Sequence, residues 1–178
     1  MKIVARKNTL PIIHDDIFNH ITQYVKDQSK GCSVIVPHVC NNVNVFGAGF
    51  AAAVARHYPI VKENYHLLGP SFLKNHLGYT QFVDAYKNPH TGHKLIFANM
   101  IAQHGTISQS NPRPLNYYAL TKGMVGVLNY IHNHFGQDSD VQIHAPKFGC
   151  GLAGGNWNFI EELIKDIWNN QTVFIYQK

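Results

Sequence analysis

Charge is scarce in this chain: Asp, Glu, Lys and Arg make up 14% of its 178 residues, against 45% hydrophobic residues. That balance excludes an intrinsically disordered chain, which has too little apolar surface to offset the entropy of ordering. Long hydrophobic runs are missing too, and none approaches the roughly 20 residues that span a bilayer. The opening stretch MKIVARKNTLPII is basic but has no long apolar segment and no small-residue cleavage site, so no secretory signal is read in it. Cysteine is sparse. Cys32, Cys40 and Cys150 are an odd number without CxxC spacing, which points to a reducing compartment and a cytoplasmic location. There is no Lys/Arg-rich segment and no aromatic RNA-reading motif, so neither nucleic acid nor a membrane is an expected partner. The net charge of +5 is spread along the chain and suits attraction of an anionic small molecule.

What is present is an alternation of strand-like and helix-like segments. Residues 1–6 and 32–37 read as strands, the second as the compact β-branched run typical of a buried strand. Between them, residues 11–30 carry Ile13, Ile17, Ile21 and Val25 at every fourth position, which predicts a helix with Pro11 in its first turn. Helices are predicted over 48–57, ended by Pro59, and over 60–68. Strands are predicted over 78–86 and 94–100, joined by the turn Asn88-Pro89-His90-Thr91-Gly92. A polar loop covers 103–114, followed by a helix over 115–135, a strand over 141–145, a helix over 156–169 and a strand over 172–176. The alternation argues a three-layer α/β/α sandwich with a mixed, largely parallel sheet, formed by residues 1–178 as one domain. In such folds ligands sit at the carboxyl ends of the strands.

Two glycine-rich loops fall at that position. The first is Phe46-Gly47-Ala48-Gly49-Phe50, opening into a helix, and the second is Pro146-Lys147-Phe148-Gly149-Cys150-Gly151-Leu152-Ala153-Gly154-Gly155, between a strand and a helix. Glycine lets backbone N–H groups approach a phosphate closely, and a helix N-terminus adds partial positive charge. Either loop alone also fits a tight turn. The pair suggests a diphosphate gripped from two sides. Neither loop is a Walker A sequence or a G-x-G-x-x-G fingerprint.

Other groups read more plainly. His90-x-x-His93 and His132-x-His134 lack the four-ligand Cys/His set of a structural zinc site, so no metal is expected. Cys150 lies near a helix N-terminus, which lowers a thiol's pKa, and it reads either as a nucleophile or as close packing beneath a ligand. Asp15 and Asp16 read as a solvated helix face. Arg113, Pro114, Tyr117 and Tyr118 fit either helix capping and core packing or a border of the ligand site.

The order of a strand, His38-Val39-Cys40-Asn41, the Gly47-Ala48-Gly49 loop and a helix, then P-x-x-G-C-G-L before a last helix and strand, resembles a macrodomain. The resemblance is to the Appr-1''-p processing branch, which holds yeast ADP-ribose-1''-phosphate phosphatase, the terminal ADP-ribose glycohydrolase and phage-encoded relatives. It implies an ADP-ribose ligand, no cofactor and a monomer. By the resemblance, Asn8 takes the place of an Asp that accepts from the adenine amino group, and Asn41 contacts the distal ribose. Phe46, Gly47, Ala48, Gly49 and Phe50 form the first diphosphate loop. Gly149, Cys150, Gly151 and Leu152 form the second, with Phe148 beside the distal ribose. His38 matches the active-site histidine of the phosphatases, and an imidazole can serve as acid or base near neutral pH.

Two departures bear on activity. The glycohydrolase relatives have an Asp where Ala153 stands, and their catalytic Lys lies where this chain runs Ile101-Ala102-Gln103. These departures favour a binding module, while His38 favours an enzyme, and the expected activity is hydrolysis of ADP-ribose 1''-phosphate with His38 moving the proton. The alternatives are a non-catalytic module that sequesters ADP-ribose or a derived signal, and a de-ADP-ribosylating hydrolase working without a lysine adduct.

Overall fold

The computed structural model describes residues 9–136 and 140–178, so the strand expected over 1–6 and the candidate Asn8 lie outside the described residues. The β-branched runs form a six-stranded sheet of β1 (Ile12–Ile13), β2 (Ser33–Asn41), β3 (Thr80–Lys87), β4 (Lys94–Gln103), β5 (Val141–Pro146) and β6 (Val173–Tyr176). The order is β1-β6-β5-β2-β4-β3. The first five strands in that order run parallel, and β3 is antiparallel to β4. That exception follows from the turn at 88–92. Asn88 Oδ1 accepts from the N–H groups of His90 and Thr91, and Gly92 takes φ +78°, which reverses the chain tightly.

Side chains leave β2 and β4 alternately to two faces. Ile35, Ile96, Ala98 and Met100 pack under α5 (Tyr117–Phe135) and α6 (Trp157–Ile167). Val34, Val36, Leu95 and Phe97 pack under α1 (Ile21–Lys26), α2 (Gly49–His57), α3 (Pro59–Leu67) and α4 (Pro70–Asn75). Buried on both faces, these strands read as continuous apolar runs. The three-layer architecture and the mixed, largely parallel sheet match the expectation.

Two segments differ from it. Residues 11–30 are not one helix: Ile12 and Ile13 pair with Ile175 and Tyr176, and the Ile175 N–H donates to the Pro11 carbonyl. Asp15 and Asp16 then bind nearby backbone N–H groups, of Asp16 at 2.7 Å and Phe18 at 3.1 Å. Such local side-chain bonds compete with helix formation. A 3-10 turn over Ile17–Asn19 follows before α1 begins. The second difference is α4, six residues long and so too short to show a period; Gly69 at φ +81° ends the preceding turn and Pro70 starts the new one. Among the described residues, no helix is long and apolar enough to cross a membrane.

Candidate functional site

Because β1, β6, β5, β2 and β4 are mutually parallel, their carboxyl ends share one edge of the sheet. The segments leaving β2, β4 and β5 enclose a cavity of about 560 Å³ on that edge. Of the residues singled out from the sequence, His38, Asn41, Phe46, Gly47, Ala48, Gly49, Phe50, Phe148, Gly149, Gly151 and Leu152 line it. Cys150 does not: its Sγ bonds the Lys147 carbonyl at 3.2 Å and the side chain packs toward the core. Burial pushes the Cys150 thiol up rather than down, which removes the nucleophile reading and leaves the packing one.

Each loop is shaped by its own sequence. Asn41 Oδ1 accepts from the N–H groups of Val43 and Val45 and from the Tyr65 hydroxyl, while its Nδ2 donates to the Val45 carbonyl at 2.6 Å. The side chain thus organises the bend before the first glycine loop and keeps one N–H uncommitted. Phe46, 3% exposed, packs on Tyr65 and edge-on to His38. The chain then enters α2 at Gly49, φ +55°. Helices α5 and α6 are capped by Asn116 and Asn156, and α3 and α4 begin on prolines, which lack an N–H. Helix α2 has neither device: its N-cap is Ala48, with no side-chain cap bond. Its first-turn residues Gly49, Phe50 and Ala51 line the cavity, and the first N–H groups of a helix have no partner within it.

The second loop closes on itself. The Gly155 N–H donates to the Gly149 carbonyl at 2.8 Å and the Gly154 N–H to the Gly151 carbonyl at 2.9 Å. Its glycines differ in kind. A Cβ at Gly154 would meet the Pro112 carbonyl oxygen at 2.6 Å, and one at Gly155 the Gly149 oxygen at 2.5 Å, so packing demands glycine there. A Cβ at Gly47 or Gly151 would meet no atom within 4 Å, so packing does not. The loops touch across the cavity mouth, where a Cβ at Gly49 would lie 3.3 Å from Leu152 Cδ1.

A third wall was not anticipated: Gln103, the last residue of β4, with Thr106 and Ile107 from the loop after it. Asn42 ties it to the first loop, with its Oδ1 accepting from the Gly105 N–H at 2.9 Å and its Nδ2 3.2 Å from His104 Nδ1. The polar composition of 103–114 marked a surface loop, and its place after a parallel strand was the signal available. Val45, Ala51 and Lys147 also line the cavity, and Lys147 holds its Nζ 5.5 Å from the Trp157 ring centroid. Arg113, Tyr117 and Tyr118 do not line it. Arg113 lies over the Tyr117 ring, the Tyr117 hydroxyl accepts from the Asn156 N–H, and Tyr118 is exposed.

Among the lining residues the ionisable side chains are His38, Cys40 and Lys147, with no carboxylate. His38 is 1% exposed, with Nε2 2.6 Å from Asn99 Oδ1 and Cys40 Sγ 3.8 Å from Nδ1. Burial lowers its pKa to about 4, against a smaller opposing effect of the Asn99 bond, and burial raises the Cys40 thiol. Both groups are neutral at physiological pH.

A second hollow of about 220 Å³ shares Phe50 and Pro146 with the first. Phe18 and His57 stack there at 4.2 Å and 8°, beside Asp16, which pairs with Lys178 at 2.7 Å. The adjacent acidic pair is therefore not a plain solvated helix face: Asp16 borders this hollow.

His144, fully buried between Tyr176 and Gln142, is likewise depressed to about 4, mainly by burial. In the unfolded chain both His38 and His144 bind a proton below about pH 6.5. Between about pH 4 and 6.5 the unfolded state holds more protons, so stability present at neutral pH is lost on acidification through that window. Urea unfolding at pH 7 and pH 5 is expected to give a lower free energy at pH 5, by up to about 2 kcal/mol per ring. Equal values would mean that the folded rings take up protons as readily as the unfolded ones.

A largely parallel sheet between two helical layers, with a cleft where two loops leave the strands' carboxyl ends, defines an α/β/α sandwich fold. No family model matches the chain. It is 27% identical, with TM-score 0.75, to the structure of a protein of unknown function from Bacteroides thetaiotaomicron, over 94% of this chain and 97% of that one. To a macrodomain protein from Streptomyces coelicolor it is 25% identical, with TM-score 0.66, over 96% and 99%. Thermosipho africanus DarTG in complex with ADP-ribose is 16% identical, with TM-score 0.64, over 96% of this chain and 42% of that one. Among curated proteins, the ADP-ribose 1''-phosphate phosphatase of Lodderomyces elongisporus is 34% identical over 73 residues, 36% of this chain and 42% of that protein. That match spans less than half of the relative's length. The chain has the macrodomain fold.

Proposed function

We propose that the cleft binds ADP-ribose or a close derivative, with the diphosphate between the two glycine loops. The observation that carries this reading is the pair Gly47 and Gly151, which leave open space on both sides of a cavity with no carboxylate in its walls. An anion there meets backbone N–H groups and no opposing charge. The distal ribose falls toward Asn41 and Phe148. The adenine falls in the neighbouring hollow, where the Phe18–His57 stack offers a flat wall and the Asp16 carboxylate an acceptor for an exocyclic amino group. Asn8 remains the sequence-based candidate for that acceptor.

A second reading, hydrolysis of ADP-ribose 1''-phosphate, is supported by His38 at the cavity wall and by the likeness to a phosphatase of that substrate. A neutral imidazole can activate water, and removing such a base costs roughly 100-fold or more in rate. Calorimetric titration with ADP-ribose tests the first reading, and absence of binding overturns it. Phosphate release from ADP-ribose 1''-phosphate, present in the wild type and lost in His38→Ala, supports the second. Equal rates in the two proteins, or no release, overturn it.

A further inference from the structure

Three side chains on adjacent strands stand in one row across the sheet. Asn99 of β4 pairs in register with His38 of β2 on one side and with Gln81 of β3 on the other. A hydrogen-bonded chain runs along that row. Gln81 Nε2 donates to the backbone carbonyl of Asn64 at 2.9 Å, Asn99 Nδ2 donates to Gln81 Oε1 at 3.0 Å, and Asn99 Oδ1 lies 2.6 Å from His38 Nε2.

The far end sets the direction of every link. A backbone carbonyl can only accept. Gln81 must therefore turn its NH2 toward Asn64, which leaves its Oε1 facing Asn99. Asn99 must then turn its NH2 toward Gln81, which leaves Oδ1 facing His38. An oxygen at 2.6 Å requires a donor, so the proton of the neutral ring sits on Nε2. Reversing either amide would set two oxygens or two NH2 groups against each other inside the sheet.

We infer that Gln81 and Asn99 are positioning residues that hold His38, on the cleft wall, in the Nε2–H tautomer, so that its Nδ1, 3.8 Å from Cys40 Sγ, is the nitrogen that carries the lone pair. The groups packed around the ring leave this undisturbed. They are the rings of Phe46, Phe50 and Phe97 and the thiol of Cys40, none of them charged. The low proton affinity that burial gives the ring agrees with it. A lone pair at Nδ1 accepts from a hydroxyl or a water and takes up a proton in base catalysis. It has no proton to offer a phosphate oxygen. Resting on the reading that the cleft takes ADP-ribose, a ligand group that reaches this nitrogen is a donor, a ribose hydroxyl or a water, rather than a phosphate oxyanion.

The test uses nitrogen-15 imidazole NMR on the ligand-free protein, so its failure is separable from a failure to bind ADP-ribose. At about pH 7 the wild-type His38 ring is expected to be Nε2–H alone. In Gln81→Leu, Asn99 is free to turn over, and the ring is expected to become a mixture of both tautomers. In Asn99→Asp the carboxylate still accepts from Nε2, and proton uptake by His38 is expected to move toward neutral pH by about one unit or more. A wild-type ring protonated on Nδ1 overturns the inference. So does a His38 titration that Asn99→Asp leaves unmoved, or a tautomer that stays pure in a folded Gln81→Leu protein.

Discussion

Gly151→Val is expected to weaken ADP-ribose binding roughly 30-fold or more, about 2 kcal/mol, while leaving the melting temperature within about 2 °C of wild type. Gly151 is exposed, a Cβ there meets no atom within 4 Å, and its φ lies outside the left-handed region, so the fold has no use for glycine at this place. A branched side chain would instead stand beside the uncapped start of α2, where a diphosphate must come close to reach backbone N–H groups. Calorimetry and thermal unfolding on the same sample separate the two effects. Unchanged affinity in a folded Gly151→Val protein would remove the second loop from the binding site.

Three residues later the same loop gives the opposite result. Gly154→Ala is expected to cost the fold about 3 kcal/mol, a drop of roughly 10 °C in melting temperature. Two causes add. Gly154 sits at φ +73°, a conformation a side chain disfavours, and its Cβ would lie 2.6 Å from the Pro112 carbonyl oxygen and 3.1 Å from Arg113 Cα. The opposing atoms are backbone, in a segment held by Asn111 Nδ2 donating to the carbonyls of His104 and Thr106, so they cannot swing aside as a long side chain would. A melting temperature within about 2 °C of wild type, a cost under about 1 kcal/mol, would show that the backbone at Pro112 and Arg113 yields to the added Cβ.

These neighbouring glycines show how far the sequence reaches. Their number and their place between a strand and a helix marked the loop, because few other roles call for so much backbone freedom. Which glycine serves packing and which leaves room could not be read. The distinction depends on Pro112, Arg113 and Leu115, more than thirty residues away in the chain. The helix predicted over 11–30 is a similar case. Ile17, Ile21 and Val25 are buried together as their spacing required, yet Ile13 joins a strand because the partner strand β6 is at the far end of the sequence.

By itself, then, the sequence determined the alternation of strands and helices, the two glycine loops and the placing of His38 and Asn41 at the end of β2. These are local matters of hydrophobic period, turn chemistry and spacing along one segment. Only the tertiary structure decided the wall from 103–107, the hollow beside Asp16 and the row of Gln81, Asn99 and His38. Each joins residues separated by tens of positions, and such pairings are set by strand register and sheet order, which leave no mark on any single stretch of chain. The direction of the hydrogen bonds in that row, and with it the nitrogen of His38 that carries the proton, follows from one backbone carbonyl at Asn64.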